Sequence, residues 1–178
     1  MALPYSFNGN IGKGLFDATA QAWRSEIASN PANLSSSYYE GRLKQCEQAV
    51  NGQGFADGGG ALCAVVKDGA DHADAFIVVT YANGQHLKML DVTVRPSLDA
   101  ADREPNIFDL AWIAATAIIG CLGMTYVEYP CPELKVRASW PLDKEFLTAV
   151  TAALVANEKF AGIYEVGVHG NWIVVRKK

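Results

Sequence analysis

Hydrophobic residues along this chain change period several times, and each change marks an element. Phe16, Ala20, Trp23 and Ile27 recur at three- and four-residue steps within Gly14 to Ser29, which predicts a helix closed by Asn30-Pro31. Tyr39, Leu43, Cys46 and Val50 share one face of a second helix, for which Ser37 and Glu40 form a capping-box pair. Leu3 to Phe7, ahead of both, reads as an edge strand or an arm. Ala61 to Lys67 and Asp74 to Tyr81 read as strands, and Ala82-Asn83-Gly84 turns the chain into a third, His86 to Arg95, which Pro96 stops. Their short turns make the three consecutive and antiparallel.

The chain is organised around His86 to Tyr129. After a polar loop, Ile107, Leu110, Ala111, Ala114, Ile118 and Cys121 return to helical spacing, predicting a helix from Asn106 to Leu122. Asn106 is placed to cap it, Asp109 to answer its N-terminal amides, and Gly120 and Gly123 to end it. Met124 to Tyr129 then reads as a second strand, and a crossover helix between two strands of one sheet places them parallel. PCPELKVRASWP reads as irregular because of its prolines. Asp143 to Glu158 reads as one helix capped by Asp143, and Gly162 to Val168 with Trp172 to Arg176 as a hairpin around His169-Gly170-Asn171. The expected fold class is α/β, more strictly α+β. It is a single domain over 1–178 with a mixed, mostly antiparallel sheet of about six or seven strands flanked by about four helices.

With 178 residues, half of them hydrophobic and 19% charged, the chain can bury a sizeable core. A net charge of −4 gives no general attraction to nucleic acid or anionic lipid, so neither is an expected partner. Leu110 to Val127 is an uncharged run of membrane-span length, but its two glycines, its two threonines and its change of period predict a buried helix and strand. The start, MALPYSFNGNIGKG, lacks the charged-then-apolar pattern of a secretory leader, and a cytoplasmic location is expected. Cys46, Cys63, Cys121 and Cys131 form no CxxC pair and have no close histidine, so no metal is expected. NGQGFADGGG follows a helix and leads into a strand, the reverse of a phosphate cradle, and reads as a surface loop. Trp140, Trp172 and the terminal hairpin offer apolar surface that suggests a protein partner or a homo-oligomer.

This order of elements, with a strand ending Val92-Thr93-Val94-Arg95-Pro96 before a loop and helix, resembles the Gcn5-related N-acetyltransferase (GNAT) superfamily over nearly the whole chain. The resemblance implies an N-acyltransferase that moves an acyl group from acyl-CoA, with acetyl-CoA as cofactor, to an amine. It implies that the pantetheine meets the backbone of Val92, Thr93 and Val94, where the fourth strand splays from the fifth, taken as Met124 to Tyr129. It further implies that Arg103, Asn106 and Ile107, at the loop and helix N-terminus, meet the pyrophosphate. The family's loop is Arg/Gln-x-x-Gly-x-Gly/Ala. Here Arg103-Glu104-Pro105-Asn106-Ile107-Phe108 replaces each glycine, removes an amide at Pro105 and adds a carboxylate at Glu104, so weak acetyl-CoA binding is expected. N-acyl transfer needs a base and an acid. Asp91, among apolar residues of the fourth strand, is the candidate base, and Glu128 and Tyr129 are candidates for base and acid. The alternative is a non-catalytic module of the same fold used for binding or assembly, for example a bacteriophage virion or host-takeover component.

Overall fold

The computed structural model describes residues 4–30, 34–55, 58–99, 107–139 and 142–178. Strand β1 (Tyr5–Asn8) is followed by helices α1 (Lys13–Ser29) and α2 (Ser36–Val50). Strands β2 (Gly60–Lys67), β3 (Ala75–Ala82) and β4 (His86–Val94) come next. A single 3-10 turn at Pro96–Leu98 precedes α3 (Ile107–Met124), β5 (Glu133–Arg137), α4 (Lys144–Val155), α5 (Glu158–Ile163), β6 (Tyr164–His169) and β7 (Trp172–Lys177). The seven strands form one sheet in the order β1-β2-β3-β4-β5-β7-β6, antiparallel throughout except for β4 and β5.

Helices cover the two faces of this sheet unequally. Phe16, Ala20 and Trp23 of α1 and Leu43, Cys46 and Ala49 of α2 bury their stripes against Leu62, Ala64, Val66 and Phe76, so these helices sit over β2 and β3. Trp23 is fully buried, and its indole N–H donates to the Ala73 carbonyl at 3.0 Å. On the other face, Leu110, Ile113, Ala114, Ala117, Ile118 and Cys121 of α3, with Leu147 and Val150 of α4, pack on residues from β1 to β5 and β7. β2 is covered on both sides, which is why Ala61 to Val66 is an unbroken apolar run. α3 is apolar and long enough to cross a membrane by length and composition, but half of it is buried inside the protein.

The strand after α3 is not where the sequence pattern put it. Met124 is the last residue of α3, buried against the Cys63 thiol at 3.6 Å, and residues 125–129 form turns. Glu128 and Tyr129 therefore lie on no strand. The fifth strand is Glu133–Arg137, inside the segment read as irregular. Its alternation of buried Leu134 and Val136 with outward Glu133, Lys135 and Arg137 is a period-two signal that the flanking prolines obscured. Gly120 does not end α3 because it is a contact: a Cβ there would lie 2.1 Å from Cγ of Phe7 in β1.

Two further boundaries differ for local reasons. Ser35, not Ser37, caps α2 by accepting from the Tyr38 N–H. The helix expected over Asp143 to Glu158 is two, because Asn157 caps a new start by accepting from Lys159 and Phe160, which makes five α-helices among the described residues and delays β6 to Tyr164. Asp143 does cap α4, with the Phe146 N–H at 2.9 Å.

Replacing Gly120 with alanine is expected to push Phe7 off its seat and lower stability by about 1–3 kcal/mol. Denaturant unfolding would measure the loss, and hydrogen exchange should show it concentrated in Tyr5 to Asn8.

Candidate functional site

The site is set by the way β4 meets its two neighbours. On the β3 side, pairing runs from Ala82↔His86 to Ala75↔Val94, but the register shifts between Val78, opposite Asp91, and Val79, opposite Met89. Leu90 is thus the extra residue of a bulge. On the β5 side, parallel pairing runs from His86↔Glu133 to Met89↔Val136 and stops. Past the bulge, Leu90 to Val94 has no strand partner on that edge among the described residues, and the two strands part.

Residues beyond the divergence are sorted by face. Val92 and Val94 are buried towards α3, 5% and 1% exposed, so only their backbone can face a ligand in the gap. Asp91 and Thr93 point to the α2 side, where Arg42 meets both. Its Nε donates to the Thr93 hydroxyl at 3.2 Å, and its guanidinium lies 3.5 Å from the Asp91 carboxylate. Tyr38, one turn earlier on α2, is in the field of Arg42, Asp91 and Asp99, and burial pushes its phenol pKa up. Nothing local in the sequence marks Arg42 and Tyr38, a polar pair on α2, as facing β4.

The chain leaving β4 is tied down by charge. Arg95 bonds Glu26 of α1 at 3.0 Å and reaches buried Asp74 at 3.4 Å, while Glu26 also accepts from the Ser97 N–H. Tyr39 donates to Asp99 at 2.8 Å. Arg103 and Asn106, expected at the pyrophosphate, lie outside the described residues, as do Glu104, Pro105 and Trp140. At the start of α3, Ile107 and Phe108 are exposed, and Asp109 accepts from the Tyr5 hydroxyl at 2.9 Å with Lys67 at 3.5 Å.

Glu128 and Tyr129 are not brought to Asp91. The Tyr129 ring packs on Tyr81 at 5.2 Å, and Tyr81 pairs with Leu87 at the opposite end of β4. Burial raises the Tyr129 pKa there, with help from Cys63 and Glu128. The thiols are poor nucleophiles as well: burial pushes Cys46 up to about 12 and Cys63 to about 11. Among the described residues, no cluster of three or more histidine, cysteine or carboxylate side chains could hold a metal ion.

Among the described residues, a seven-stranded sheet in this order, with one parallel pair that splays past a bulge and is joined by a crossover helix, is a GNAT-like fold. No family model and no curated protein matches the chain. Among solved structures, it is similar to an acetyltransferase-like protein of Sphaerobacter thermophilus DSM 20745, at 13% identity, TM-score 0.49, and coverage of 98% of this chain and 94% of that one. It is also similar to the Campylobacter jejuni N-acetyltransferase PseH in complex with acetyl coenzyme A (8% identity, TM-score 0.45, 98% of each chain). A third is an acetyltransferase from Agrobacterium tumefaciens str. C58, at 13% identity, TM-score 0.42, with 100% of this chain and 96% of that one covered. These similarities assign the chain no activity.

His86, at the paired end of β4, gives the sheet a pH dependence. Burial lowers its pKa first, then Lys135 and Lys88, against the pull of Glu133. The unfolded chain therefore binds a proton near pH 6.5 that the folded chain resists, so stability falls as pH drops below that value. His86→Gln is expected to flatten this part of the curve. Thermal midpoints measured between pH 7.5 and 5.5 would check it, and parallel curves for the two proteins would refute it.

Proposed function

We propose that the protein is an acyl-CoA-dependent N-acyltransferase, and the observation that supports this most is the backbone edge left open from Leu90 to Val94. An extended pantetheine arm carries amides, and a strand edge with unpaired N–H and C=O groups is complementary to it in the way an added strand would be. The residues present fit that arm. Val92, Thr93 and Val94 would hold it by backbone, and the first amides of α3 at Ile107 and Phe108 lie at the helix end that favours a phosphate. Bound acyl-CoA supplies the thioester whose acyl carbon the amine attacks.

Asp91 faces the α2 side of that edge, where an incoming amine can be reached without crossing the sheet. Its carboxylate would hold the ammonium group and take its proton, directly or through a water, while Arg42, itself anchored on the Thr93 hydroxyl, keeps the side chain from turning away. Tyr38 offers a neutral phenol O–H in the same cluster to the departing sulfur. Glu128 and Tyr129, at the other end of β4, have no part in this arrangement. A second reading, a non-catalytic binding module, draws on the same Arg42–Asp91 pair, since a guanidinium already occupies the carboxylate.

Calorimetry should show acetyl-CoA binding that is weak for this fold, because losing two amide bonds to the pyrophosphate costs about two to four powers of ten in affinity. Replacing Glu104-Pro105-Asn106 by Gly-Lys-Gly should strengthen it, and amide resonances of Leu90 to Val94 should shift on binding. With a panel of amines, Asp91→Asn should cut thiol release by about a hundredfold or more. Absence of any acetyl-CoA binding, in the native chain and the loop variant alike, would end the acyltransferase reading in favour of the binding module.

A further inference from the structure

Two cavities open side by side on the sheet face that α1 and α2 leave bare, and Lys88 lines both. The first, about 320 Å³, is lined by Lys88, Lys135, His169, Trp172, Val174 and Arg176. The second, about 520 Å³, continues past Tyr81, Asn83 and Gln85 to Leu90, at the bulge. No carboxylate lines the first cavity among the described residues.

Its charges are placed against the interest of stability. Lys88 stands directly across from Lys135 in the β4–β5 register, on the same face, and like charges opposite one another cost stability. Glu133 answers part of this, 3.1 Å from Lys135 and 2.8 Å from Arg176, but Lys88 has no ion pair among the described residues. Arg137 adds a further cation on this face of β5, and Glu165, across from Arg176, a second carboxylate. Among the described residues of β5 to β7 and the paired half of β4, four cations against two carboxylates leave this part of the face positive in a chain of net charge −4. His86 registers the field, since Lys135 and Lys88 join burial in lowering its pKa. Val174, 5% exposed, and the half-buried Trp172 add apolar surface to the lining.

We propose that this cavity binds the anionic group, a carboxylate or a phosphate, of a small molecule, with Lys88 as its direct contact and Lys135 and Arg176 behind it. An uncommitted ammonium group beside two partly neutralised cations is what such a group needs, and ligand binding relieves the Lys88–Lys135 repulsion. On the acyltransferase reading, on which this extension rests, the molecule is the acceptor itself. Asp91 and Lys88 are separated by about 10 Å along β4, so the acceptor carries its amine and its anion several bonds apart.

The test is calorimetric titration of the full chain at low ionic strength with inorganic phosphate, O-phosphoethanolamine and 4-aminobutyrate, without acetyl-CoA. Saturable one-to-one binding is expected in the phosphate arm, the carboxylate arm or both. Lys88→Ala should weaken it about tenfold, and Lys88→Arg should restore most of it. Arg24→Ala, which removes a cation on α1 that pairs with Glu40, should leave it within about twofold. No saturable binding in either arm, or equal losses for Lys88→Ala and Arg24→Ala, would overturn the site. Because acetyl-CoA is absent, failure of the acyltransferase reading and failure of the anion site are read separately. With acetyl-CoA added, thiol release should be at least about tenfold faster with the two anionic amines than with ethanolamine; equal rates would overturn their role as acceptors.

Discussion

A strand can keep a neighbour on each edge only while its pleat stays in step with both, and β4 falls out of step at Leu90. The extra residue lets β4 continue beside β3 as far as Val94 but turns its other edge away from β5 after Met89. Everything that could be functional follows from that slip. It frees the backbone of Leu90 to Val94, puts Asp91 and Thr93 under Arg42, and leaves the paired half of β4 to carry Lys88 beside Lys135. The cost of the broken pairing is met nearby, where Arg95 joins the end of β4 to Asp74 and to Glu26 of α1.

The same arrangement divides labour between the two faces. Towards α3 the sheet is continuous and apolar, because Leu87, Met89, Leu134, Val136, Ile173 and Val175 are all buried together. Towards α1 and α2 the helices pack mainly over β2 and β3, so Lys88, Lys135 and Arg176 of β4, β5 and β7 keep access to solvent. Rigid support on one side and exposure on the other is what a binding surface built on strands requires.

Much of this was legible in the sequence where one physical signal acted alone. The 3.6-residue stripe from Phe16 to Ile27 and the hairpin turn at Asn83-Gly84 needed no tertiary information, and Gly84 does adopt the positive φ of 75° that such a turn asks for. The misplacement of the fifth strand shows where local signals conflict. Thr125, Tyr126, Val127 and Tyr129 are β-branched or aromatic, yet Tyr126 and Val127 are exposed in turns, because packing of Met124 on Cys63 extends α3 by part of a turn. The alternation in Glu133 to Arg137 is masked in the sequence by prolines that only bound it. Asp91 could be picked as a strand carboxylate, whereas its partner Arg42 could not, since the pairing of α2 with β4 spans about fifty residues and leaves no local trace.

Strand β1 is fastened from a distance. It pairs with β2 some sixty residues along, its Tyr5 hydroxyl bonds Asp109 across 104 residues, and Phe7 rests on Gly120 of α3. Such contacts close long loops and carry a correspondingly large closure entropy. Without α3, β1 is held to β2 only by its own four-residue ladder, and β2 carries six consecutive apolar residues at that edge. The first strand of the sequence is thus the one whose side-chain supports, at Asp109 and Gly120, come from furthest along the chain.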